Sequence, residues 1–187
     1  MIFTAVLDAN VLYPFSLRDT LLRLAELELY APLWSAPILD EMRRVLLEHG
    51  VTAERADRLA LMMREAFGEA EVDEADIARL EPAMTNDPED RHVLAAAVAA
   101  DSELVVTFNL DDFPAEACEG FGVEAIHPDD FLLDLLDLAS DGVLTALEQQ
   151  AADLNPPWAL EELLRAPERA GVPRFAAAIR ESRRPAG

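Results

Sequence analysis

The fold is decided by the stretch Ile2-Phe3-Thr4-Ala5-Val6-Leu7-Asp8, a short β-favouring apolar run that stops at a carboxylate. The run lacks the alternation of a half-exposed strand, so it predicts a strand that is buried on both faces. Leu104-Val105-Val106-Thr107 predicts a second buried strand, Val123 to Ile126 predicts a third strand, and helical segments separate the three. Strands that alternate with helices predict a mostly parallel sheet covered by helices on both faces, an α/β fold.

Helices are predicted for the segments between and after these strands. A loop over residues 10–18 is expected before a helix over residues 19–30, which Asp19 would cap. Pro37 suits the first turn of a second helix, which ends at Gly50. Further helices are predicted over residues 52–67, 74–80, 90–100 and 128–151.

The best candidate for a domain boundary is Asn155-Pro156-Pro157, because consecutive prolines cannot continue a helix. Beyond it, the segments Trp158 to Arg165 and Arg174 to Arg184 predict two short helices with apolar residues on one side. We therefore expect a sheet-containing domain over residues 1–153 and a helical C-terminal extension over residues 154–187.

The composition excludes several classes of enzyme. All 15 basic residues are arginine, so a Walker P-loop, a protein kinase and a pyridoxal Schiff base, which need lysine, are excluded. The seven glycines are not spaced as a dinucleotide-binding fingerprint. The single cysteine, Cys118, rules out an internal disulfide framework. With no long apolar run and no secretory signal, we expect a cytoplasmic protein without a membrane partner.

The charge of the chain is strongly negative and unevenly distributed. The formal net charge is −22, and residues 69–141 hold 21 of the 37 acids but only two of the arginines. Such acidity argues against binding of duplex nucleic acid by charge alone, which requires a basic face. It permits a site whose carboxylates are neutralised by divalent cations, although most of these charges would suit a solvated surface equally well.

Four acids from distant parts of the sequence are expected at one edge of the sheet. Asp8 ends the first strand, and Asp111 and Asp112 follow the strand that ends at Thr107. Asp90 lies in the first turn of a helix that should pack beside that sheet. In open parallel sheets, functional groups gather where the strand ends meet the following loops, so these acids are candidates for a single cleft.

Such a cluster of carboxylates predicts a metal site. Carboxylates that lie close together repel, and each raises the pKa of its neighbours. A hard divalent cation relieves the repulsion, and Mg²⁺ and Mn²⁺ prefer carboxylate oxygens and waters as ligands. Glu41 borders the apolar stripe of its helix, so it can point into the same cleft, and Arg44 could pair with it.

Each of these polar residues also has a purely structural interpretation. Asp87 and Asp90 could cap a helix, and Asp8 could serve a turn with Asn10. Asn109 could hydrogen-bond a carboxylate of the cleft or be an ordinary turn residue. The acids after the later strand could be ordinary loop residues. The joint placement of the acids is what favours a shared site.

Three segments of the chain match a known family in their order and spacing. They are Asp8-Ala9-Asn10-Val11-Leu12 after the first strand, Asp90-Arg91-His92-Val93-Leu94-Ala95-Ala96-Ala97 at the start of a helix, and Val106-Thr107-Phe108-Asn109-Leu110-Asp111-Asp112-Phe113 after a later strand. Together they resemble PIN domains, over roughly residues 1–135. PIN domains are α/β/α sandwiches around a parallel sheet; most are metal-dependent ribonucleases, and many are VapC-type toxins of bacterial toxin–antitoxin pairs.

The resemblance implies roles for particular residues. The catalytic acids would be Asp8, Glu41, Asp90 and Asp112, and the metal ligands Asp8, Asp90 and Asp112. Asn10 and Asn109 match polar positions beside these acids. Two alternatives stay open, since Asp87 could replace or assist Asp90 and Asp111 competes with Asp112. The helical tail after Asn155 resembles that of the larger VapC-like proteins.

The activity that the resemblance implies is hydrolysis of RNA phosphodiester bonds by a water that Mg²⁺ or Mn²⁺ activates. The candidates for binding substrate phosphates are Arg18, Arg43, Arg44 and Arg91, with surface solubility as the alternative role. The chain would be the toxin of a type II pair. The partners expected are an RNA substrate, a cognate antitoxin protein and, as a homodimer, a second copy of the chain.

Two rival functions are weighed against this one. A phosphatase with an aspartyl nucleophile, resembling the haloacid dehalogenase family, would need a second acid where this chain has Asn10, and it usually needs a lysine. A catalytically silent PIN-like module would use the tail as a docking surface for a partner. Because all four acid positions are filled, the ribonuclease is favoured over both.

Overall fold

A four-stranded parallel sheet is the centre of the computed structural model, which describes residues 2–183. The strands are β1 (Thr4–Leu7), β2 (Ala31–Leu33), β3 (Leu104–Val106) and β4 (Glu124–Ile126). Their order in the sheet is β2-β1-β3-β4, and every neighbouring pair is parallel. The α/β fold class expected from the sequence is confirmed.

The helices follow the strands along the chain. They are α1 (Ala9–Leu12), α2 (Phe15–Glu26), α3 (Ala36–Glu48), α4 (Ala53–Ala66), α5 (Glu74–Leu80), α6 (Arg91–Ala99), α7 (Ala115–Cys118), α8 (Pro128–Leu138), α9 (Ser140–Asp153), α10 (Leu160–Arg169) and α11 (Pro173–Ser182). Within residues 2–183, no helix is both long enough and apolar enough to cross a lipid bilayer.

The chain divides into two compact units. The first contains the described residues up to Tyr13 together with Tyr30–His127, and the second contains Pro14–Leu29 together with the described residues from Pro128 onward. The expected boundary between residues 153 and 154 falls inside the second unit. The division into a domain of residues 1–153 and an extension of 154–187 stays a prediction.

In the first unit, the core lies between the central strands and α6. Ala5, Val6 and Leu7 of β1 have no exposed surface, which explains why the strand is an unbroken apolar run. Helix α6 packs against β1 and β3, and its Ala95 and Ala96 are completely buried. Small side chains at these positions let the helix approach the sheet closely, and its first turn is thereby held near the ends of the strands.

Side chains at the starts of three helices satisfy backbone N–H groups that have no partner within the helix. Ser35 accepts a hydrogen bond from the N–H of Ile38 at the start of α3. Thr52 and Asp73 do the same at the starts of α4 and α5. Because capping residues of this type were present in the sequence, the starts of α4 and α5 are those that the sequence predicts.

In the second unit, α2 packs against α9 and α10. Leu17, Leu21 and Leu24 of α2 have no exposed surface. The hydroxyl of Thr20 donates to the side-chain carbonyl of Gln150 at 2.8 Å, and Gln150 donates back to the carbonyl of Ser16. This buried polar pair fixes α2 against α9 through satisfied hydrogen bonds.

A carboxylate organises the end of the second unit. The side chain of Asp129, on α8, accepts hydrogen bonds from the N–H groups of Arg174 and Phe175 at 3.0 and 2.7 Å, at the start of α11. Asp129 is only 3% exposed. The two predicted helices of the tail are present as α10 and α11, although the expected end of the last helix, Arg184, lies outside the described residues.

Two expectations about local structure are wrong. The loop expected over residues 10–18 is largely helical, since α1 starts at Ala9 and α2 starts at Phe15. Pro14 precedes the first helical residue of α2, where a proline costs no hydrogen bond. The single helix expected over residues 128–151 is instead two helices that meet at Ala139, before the weakly helix-forming sequence Ser-Asp-Gly.

Candidate functional site

The candidate site is built around Asp8, at the carboxyl end of β1. Asp8 is 3% exposed, and its backbone N–H donates to the carbonyl of Val106 at 3.1 Å. The register of the two strands pairs Leu7 with Val106. The residues that follow, Asp8 and Thr107, therefore lie side by side at the same edge of the sheet.

A network of hydrogen bonds fixes the carboxylate of Asp8. The hydroxyl of Thr107 and the side-chain amide of Asn10 both donate to Oδ2 of Asp8, each at 2.7 Å. Asn10 also donates to the hydroxyl of Thr107 at 2.8 Å, and it accepts from the N–H of Phe108. The network ties the first residues after β1 to the first residues after β3, and it fixes the direction of the Asp8 carboxylate.

Thr107 is a residue that the sequence analysis did not select. It was assigned to the end of a strand, whereas it is completely buried and holds Asp8. The two strands could be predicted from the sequence, but only their register in the sheet, which pairs Leu7 with Val106, places Asp8 beside Thr107.

Asp90 lies close to four other carboxylates. It occupies the position before the first residue of α6, but its side chain makes no capping hydrogen bond. Burial, followed by the charges of Asp8, Asp112, Glu41 and Asp87, raises the pKa of Asp90 to about 7. Acids from four separate parts of the sequence therefore act on Asp90, and we call this group the carboxylate cluster: Asp8, Glu41, Asp87, Asp90 and Asp112.

Asp8 is also a buried carboxylate near other acids, but hydrogen bonds partly offset the resulting rise in its pKa. Burial raises the pKa of Asp8, the hydrogen bond from Thr107 lowers it, and the charge of Glu41 raises it again. The charge of His92 acts in the opposite direction. Because His92 follows Asp90 by two residues, the first turn of α6 brings both side chains towards Asp8.

Glu41, on α3, lies at the margin of this group. Its side chain is 37% exposed and pairs with Arg44 at 3.2 Å, which is the pair that the sequence suggested. Glu41 nevertheless contributes to raising the pKa of both Asp8 and Asp90. The charge of Glu41 therefore acts on these two acids, although part of its side chain faces solvent.

The structure distinguishes between neighbouring acids of similar sequence position. Asp112 is among the charges that raise the pKa of Asp90, whereas the adjacent and exposed Asp111 is not. Asp87 also acts on Asp90, and its N–H donates to the carbonyl of Asp112 at 3.1 Å. Its carboxylate accepts from the N–H of Glu89, so Asp87 shapes the turn that leads to Asp90.

Asn109 is not attached to the cluster by its side chain. Its backbone N–H donates to the hydroxyl of Thr107 at 3.1 Å. Within residues 2–183, no hydrogen bond joins the carboxamide of Asn109 to a carboxylate. Of the two roles left open for Asn109, the structure of these residues therefore shows the turn residue and not the hydrogen bond to a carboxylate.

The candidate phosphate-binding arginines are found in different surroundings. Arg43 pairs with Asp57, Arg44 pairs with Glu41 and Glu48, and Arg91 donates to the carbonyl of Asn86. Arg18 belongs to the second unit, is 7% exposed and lies over the ring of Phe15. Burial lowers the pKa of Arg18 to about 10, so it stays charged at neutral pH. A role in binding phosphate stays a prediction for all four.

The donor set fits a hard divalent cation. Asp8, Asp90 and Asp112 offer carboxylate oxygens, and burial with repulsion from neighbouring acids raises the pKa of Asp8 and of Asp90. As the side chains stand, no three His, Cys, Asp or Glu residues within residues 2–183 already form a cage for a metal ion. Mg²⁺ needs few protein ligands, because it keeps several of its waters.

Two buried polar groups occur in the segment that carries Asp90. The carboxamide of Asn86 and Nδ1 of His92 are buried, and no group within residues 2–183 hydrogen-bonds to them. Asn86 is 3% exposed. Unsatisfied groups of this kind are rare in native proteins, and a water, an ion or a ligand usually completes them.

Two family models match the chain. The model described as "PIN domain" matches residues 4–111. The model described as "VapC50 C-terminal domain" matches residues 128–181. The first match includes the strands β1, β2 and β3 and the acids Asp8, Glu41, Asp87 and Asp90, and it ends one residue before Asp112. The second match lies within the second unit.

One curated relative is similar to about half of the chain. The protein, from Mycobacterium tuberculosis (strain ATCC 25618 / H37Rv), is named "Putative ribonuclease VapC50". It is 46% identical over 99 residues, which cover 52% of this chain and 58% of the relative. The match thus spans little more than half the length of that protein. No solved structure matches the chain significantly.

Proposed function

Because the chain belongs to the PIN domain family, whose model matches more than half of it, we propose that it is a metal-dependent endoribonuclease that hydrolyses RNA phosphodiester bonds. The observation that carries this proposal is that Asp90 is partly buried beside Asp8, Asp112 and Glu41, so that burial, followed by the charges of these acids, raises the pKa of Asp90 to about 7. A group of uncompensated carboxylates at the ends of parallel strands suits a catalytic cation site better than a structural one.

In this proposal, Asp8, Asp90 and Asp112 hold the cation and Glu41 completes the catalytic acids. A bound Mg²⁺ or Mn²⁺ would lower the pKa of the attacking water and offset the charge that develops on the phosphate oxygens. Asn10 and Thr107 keep the carboxylate of Asp8 in one orientation. Such orienting partners commonly determine how well a ligand residue works.

We further propose that the chain is the toxin of a type II toxin–antitoxin pair. The name of the curated relative and the match of the VapC50 C-terminal domain model to residues 128–181 support this. The proposed partners are an RNA substrate, a cognate antitoxin protein and a second copy of the chain. The proposed location is the cytoplasm, in agreement with the single cysteine of the sequence.

A catalytically silent PIN-like module that binds a partner is the second candidate. The observation that favours it is that, among residues 2–183, no three potential ligands already form a cage for an ion. The aspartyl-nucleophile phosphatase is disfavoured, because the position of its second acid is held by Asn10, whose amide is engaged with Asp8 and Thr107.

The test is cleavage of total cellular RNA by the full chain, with EDTA and with added Mg²⁺ or Mn²⁺. The wild type should cleave only with metal, and both Asp8→Asn and Asp90→Asn should abolish cleavage while the fold survives. The matched control is Asp101→Asn, since Asp101 is an exposed acid that precedes β3 instead of following it. Undiminished cleavage by both cluster variants, in nuclease-free preparations, would exclude this site.

The same preparations separate the rival functions. Hydrolysis of a small chromogenic phosphate monoester by the wild type, lost in Asp8→Asn, would support a phosphatase. A folded protein that leaves RNA intact under every metal condition would support the silent module.

A further inference from the structure

A cavity of about 350 Å³ lies beside the carboxylate cluster. It is lined by the segment Phe108-Asn109-Leu110-Asp111-Asp112, which follows β3. Asp112 belongs both to this lining and to the acids that act on Asp90. The cavity is therefore adjacent to the place where, in the proposed function, the scissile phosphate would bind.

Two polar residues of the lining have no role in the cluster. The side chains of Asn109 and Asp111 are exposed, and within residues 2–183 neither takes part in a hydrogen bond or an ion pair. Asp111 does not contribute to the raised pKa of Asp90, unlike its neighbour Asp112. Their hydrogen-bonding groups are thus available to a ligand that enters the cavity.

The rest of the lining is apolar and aromatic. The ring of Phe108 contacts the ring of His127 edge to face, with centroids 5.2 Å apart, and its N–H donates to Asn10. Leu110 is 40% exposed. A fixed aromatic residue, an exposed apolar side chain and unused polar groups form the kind of surface on which proteins bind unstacked RNA bases.

The charge of Asp111 indicates which base would fit. A carboxylate beside a phosphate-binding site repels RNA unless it accepts hydrogen bonds from it, because ionised carboxylates are acceptors only. Guanine presents two adjacent donors, N1–H and N2–H, which one carboxylate can accept together. Adenine, cytosine and uracil offer no such pair of adjacent donors on their Watson–Crick edges, so the carboxylate would favour guanine.

We propose that this cavity binds a guanine base of the RNA next to the scissile phosphate, with Asp111 accepting from N1–H and N2–H and Asn109 bonding to the remaining polar edge. The identification of the substrate as RNA rests on the proposed function. The pocket itself rests on the lining residues and can be tested with nucleosides that carry no phosphate.

The first experiment measures equilibrium binding of guanosine, inosine and adenosine to the full chain in EDTA, by calorimetry or ligand-observed NMR. Guanosine should bind about tenfold or more tightly than adenosine, with inosine, which lacks N2–H, in between. Asp111→Asn should remove this preference, whereas Asp101→Asn should keep it. Equal binding of guanosine and adenosine, no detectable guanosine binding, or a preference that survives Asp111→Asn would overturn the proposal.

The second experiment uses oligonucleotides that contain a single guanine at a varied position, with metal present. Wild type and Asp101→Asn should cleave next to the guanine, and Asp111→Asn should cleave without this positional preference. If Asp111 were instead a metal ligand, Asp111→Asn would lose cleavage at all positions while guanosine binding stayed intact, which would contradict the proposal. Failure of the ribonuclease proposal would appear separately, as cleavage that persists in Asp8→Asn.

Discussion

At the scale of single residues, Asp90 stands out because the fold keeps it in a place that disfavours its charge. Burial and four neighbouring acids raise its pKa to about 7, from an ordinary value of 3.8. Between these two pH values, the folded chain keeps a proton that the unfolded chain has released. The contribution of the Asp90 carboxyl to the free energy of unfolding is therefore fully present below about pH 4, and it is lost as the pH rises through about 7.

Asp90→Asn should therefore stabilise the metal-free protein. Because Asp90 is only half-buried and solvent screens its repulsions, we expect a modest rise in Tm, on the order of 2–4 °C at pH 8. The rise should shrink as the pH is lowered towards 5, where the wild-type carboxyl is protonated in the fold. Thermal unfolding in EDTA across this pH range measures the effect.

Addition of Mg²⁺ or Mn²⁺ should make the wild type more stable than Asp90→Asn, which reverses their order in EDTA. The wild type should gain Tm with metal, since binding to the native state alone stabilises it, and Asp90→Asn should gain much less. The control Asp101→Asn should follow the wild type in both conditions. An unchanged or lower Tm for Asp90→Asn in EDTA at pH 8 would contradict the description of Asp90 as a repelled carboxylate.

In the proposed function, Thr107 would act on catalysis through Asp8, whose carboxylate accepts a hydrogen bond from its hydroxyl. Thr107→Val keeps the shape of the side chain but removes the donor to Asp8 and a partner of Asn10. We expect metal-dependent cleavage to fall about 10–100-fold, as for other groups that orient metal ligands. Thr107→Ser, which retains the hydroxyl, should recover most of the activity, and kinetics of RNA cleavage for the three proteins would show this.

The loss in Thr107→Val should appear as weaker metal affinity, with the fold retained. Metal titrations followed by Tm would separate this effect from simple destabilisation. Equal activity and metal affinity in Thr107→Val and Thr107→Ser would show that the hydroxyl does not orient Asp8.

How far the residues of the site could be predicted from sequence differs among them. Asp8 and Asn10 follow an unmistakable strand, so their place at the sheet edge could be predicted. Asp111 and Asp112 are adjacent in a single turn, and only the path of that turn determines which acts on Asp90. The role of Thr107 depended on the register of two strands about a hundred residues apart in sequence, which no local pattern contains.

At the scale of secondary-structure elements, the sequence predicts well where local chemistry is decisive. The strands β1 and β3 are unbroken apolar runs, and the starts of α4 and α5 follow the capping residues Thr52 and Asp73. It predicts poorly where packing overrides local preference. The segment before Asp19 is helical because the leucines of α2 are buried against α9 and α10.

The start of α11 depends on a carboxylate from another helix. Asp129→Ala would leave the N–H groups of Arg174 and Phe175 unpaired at the start of the helix. We expect a loss of about 1–3 kcal/mol in the free energy of unfolding, the usual cost of unsatisfied buried donors. Urea denaturation followed by circular dichroism would measure this loss.

The neighbouring residue provides the matched control. Asp130 forms an exposed ion pair with the side chain of Arg174, and exposed pairs contribute at most about 1 kcal/mol. Asp130→Ala should therefore cost clearly less than Asp129→Ala. Equal costs for the two variants would mean that the buried carboxylate does not hold the start of α11.

At the scale of the whole molecule, the net charge of −22 opposes the approach of RNA. Proteins that bind nucleic acid through basic surfaces lose affinity as salt increases. Here the dominant long-range force is repulsion, and salt shortens its range, since the Debye length falls from about 30 Å at 0.01 M to about 8 Å at 0.15 M. Association of this protein with RNA should therefore become faster, not weaker, as the salt concentration increases.

We expect kcat/KM for RNA cleavage at saturating metal to rise severalfold as monovalent salt increases from about 0.01 to 0.15 M. Initial rates at low RNA concentration across this range provide the measurement. A neutral dinucleotide analogue should show little dependence on salt. A steep fall in kcat/KM with increasing salt would indicate that arginine contacts outweigh the overall repulsion.

Helix α2 has a consequence for any attempt to shorten the protein. Its residues lie early in the chain, yet their buried leucines pack against α9 and α10, which are more than a hundred residues further on. A fragment that ended at His127 would retain every acid of the cluster. It would, however, expose the apolar face of α2 to water, because α9 and α10 would be missing. Removing the residues after His127 should therefore destabilise α2 near the beginning of the chain as well, so a smaller folded protein with all these acids cannot be obtained by a single cut.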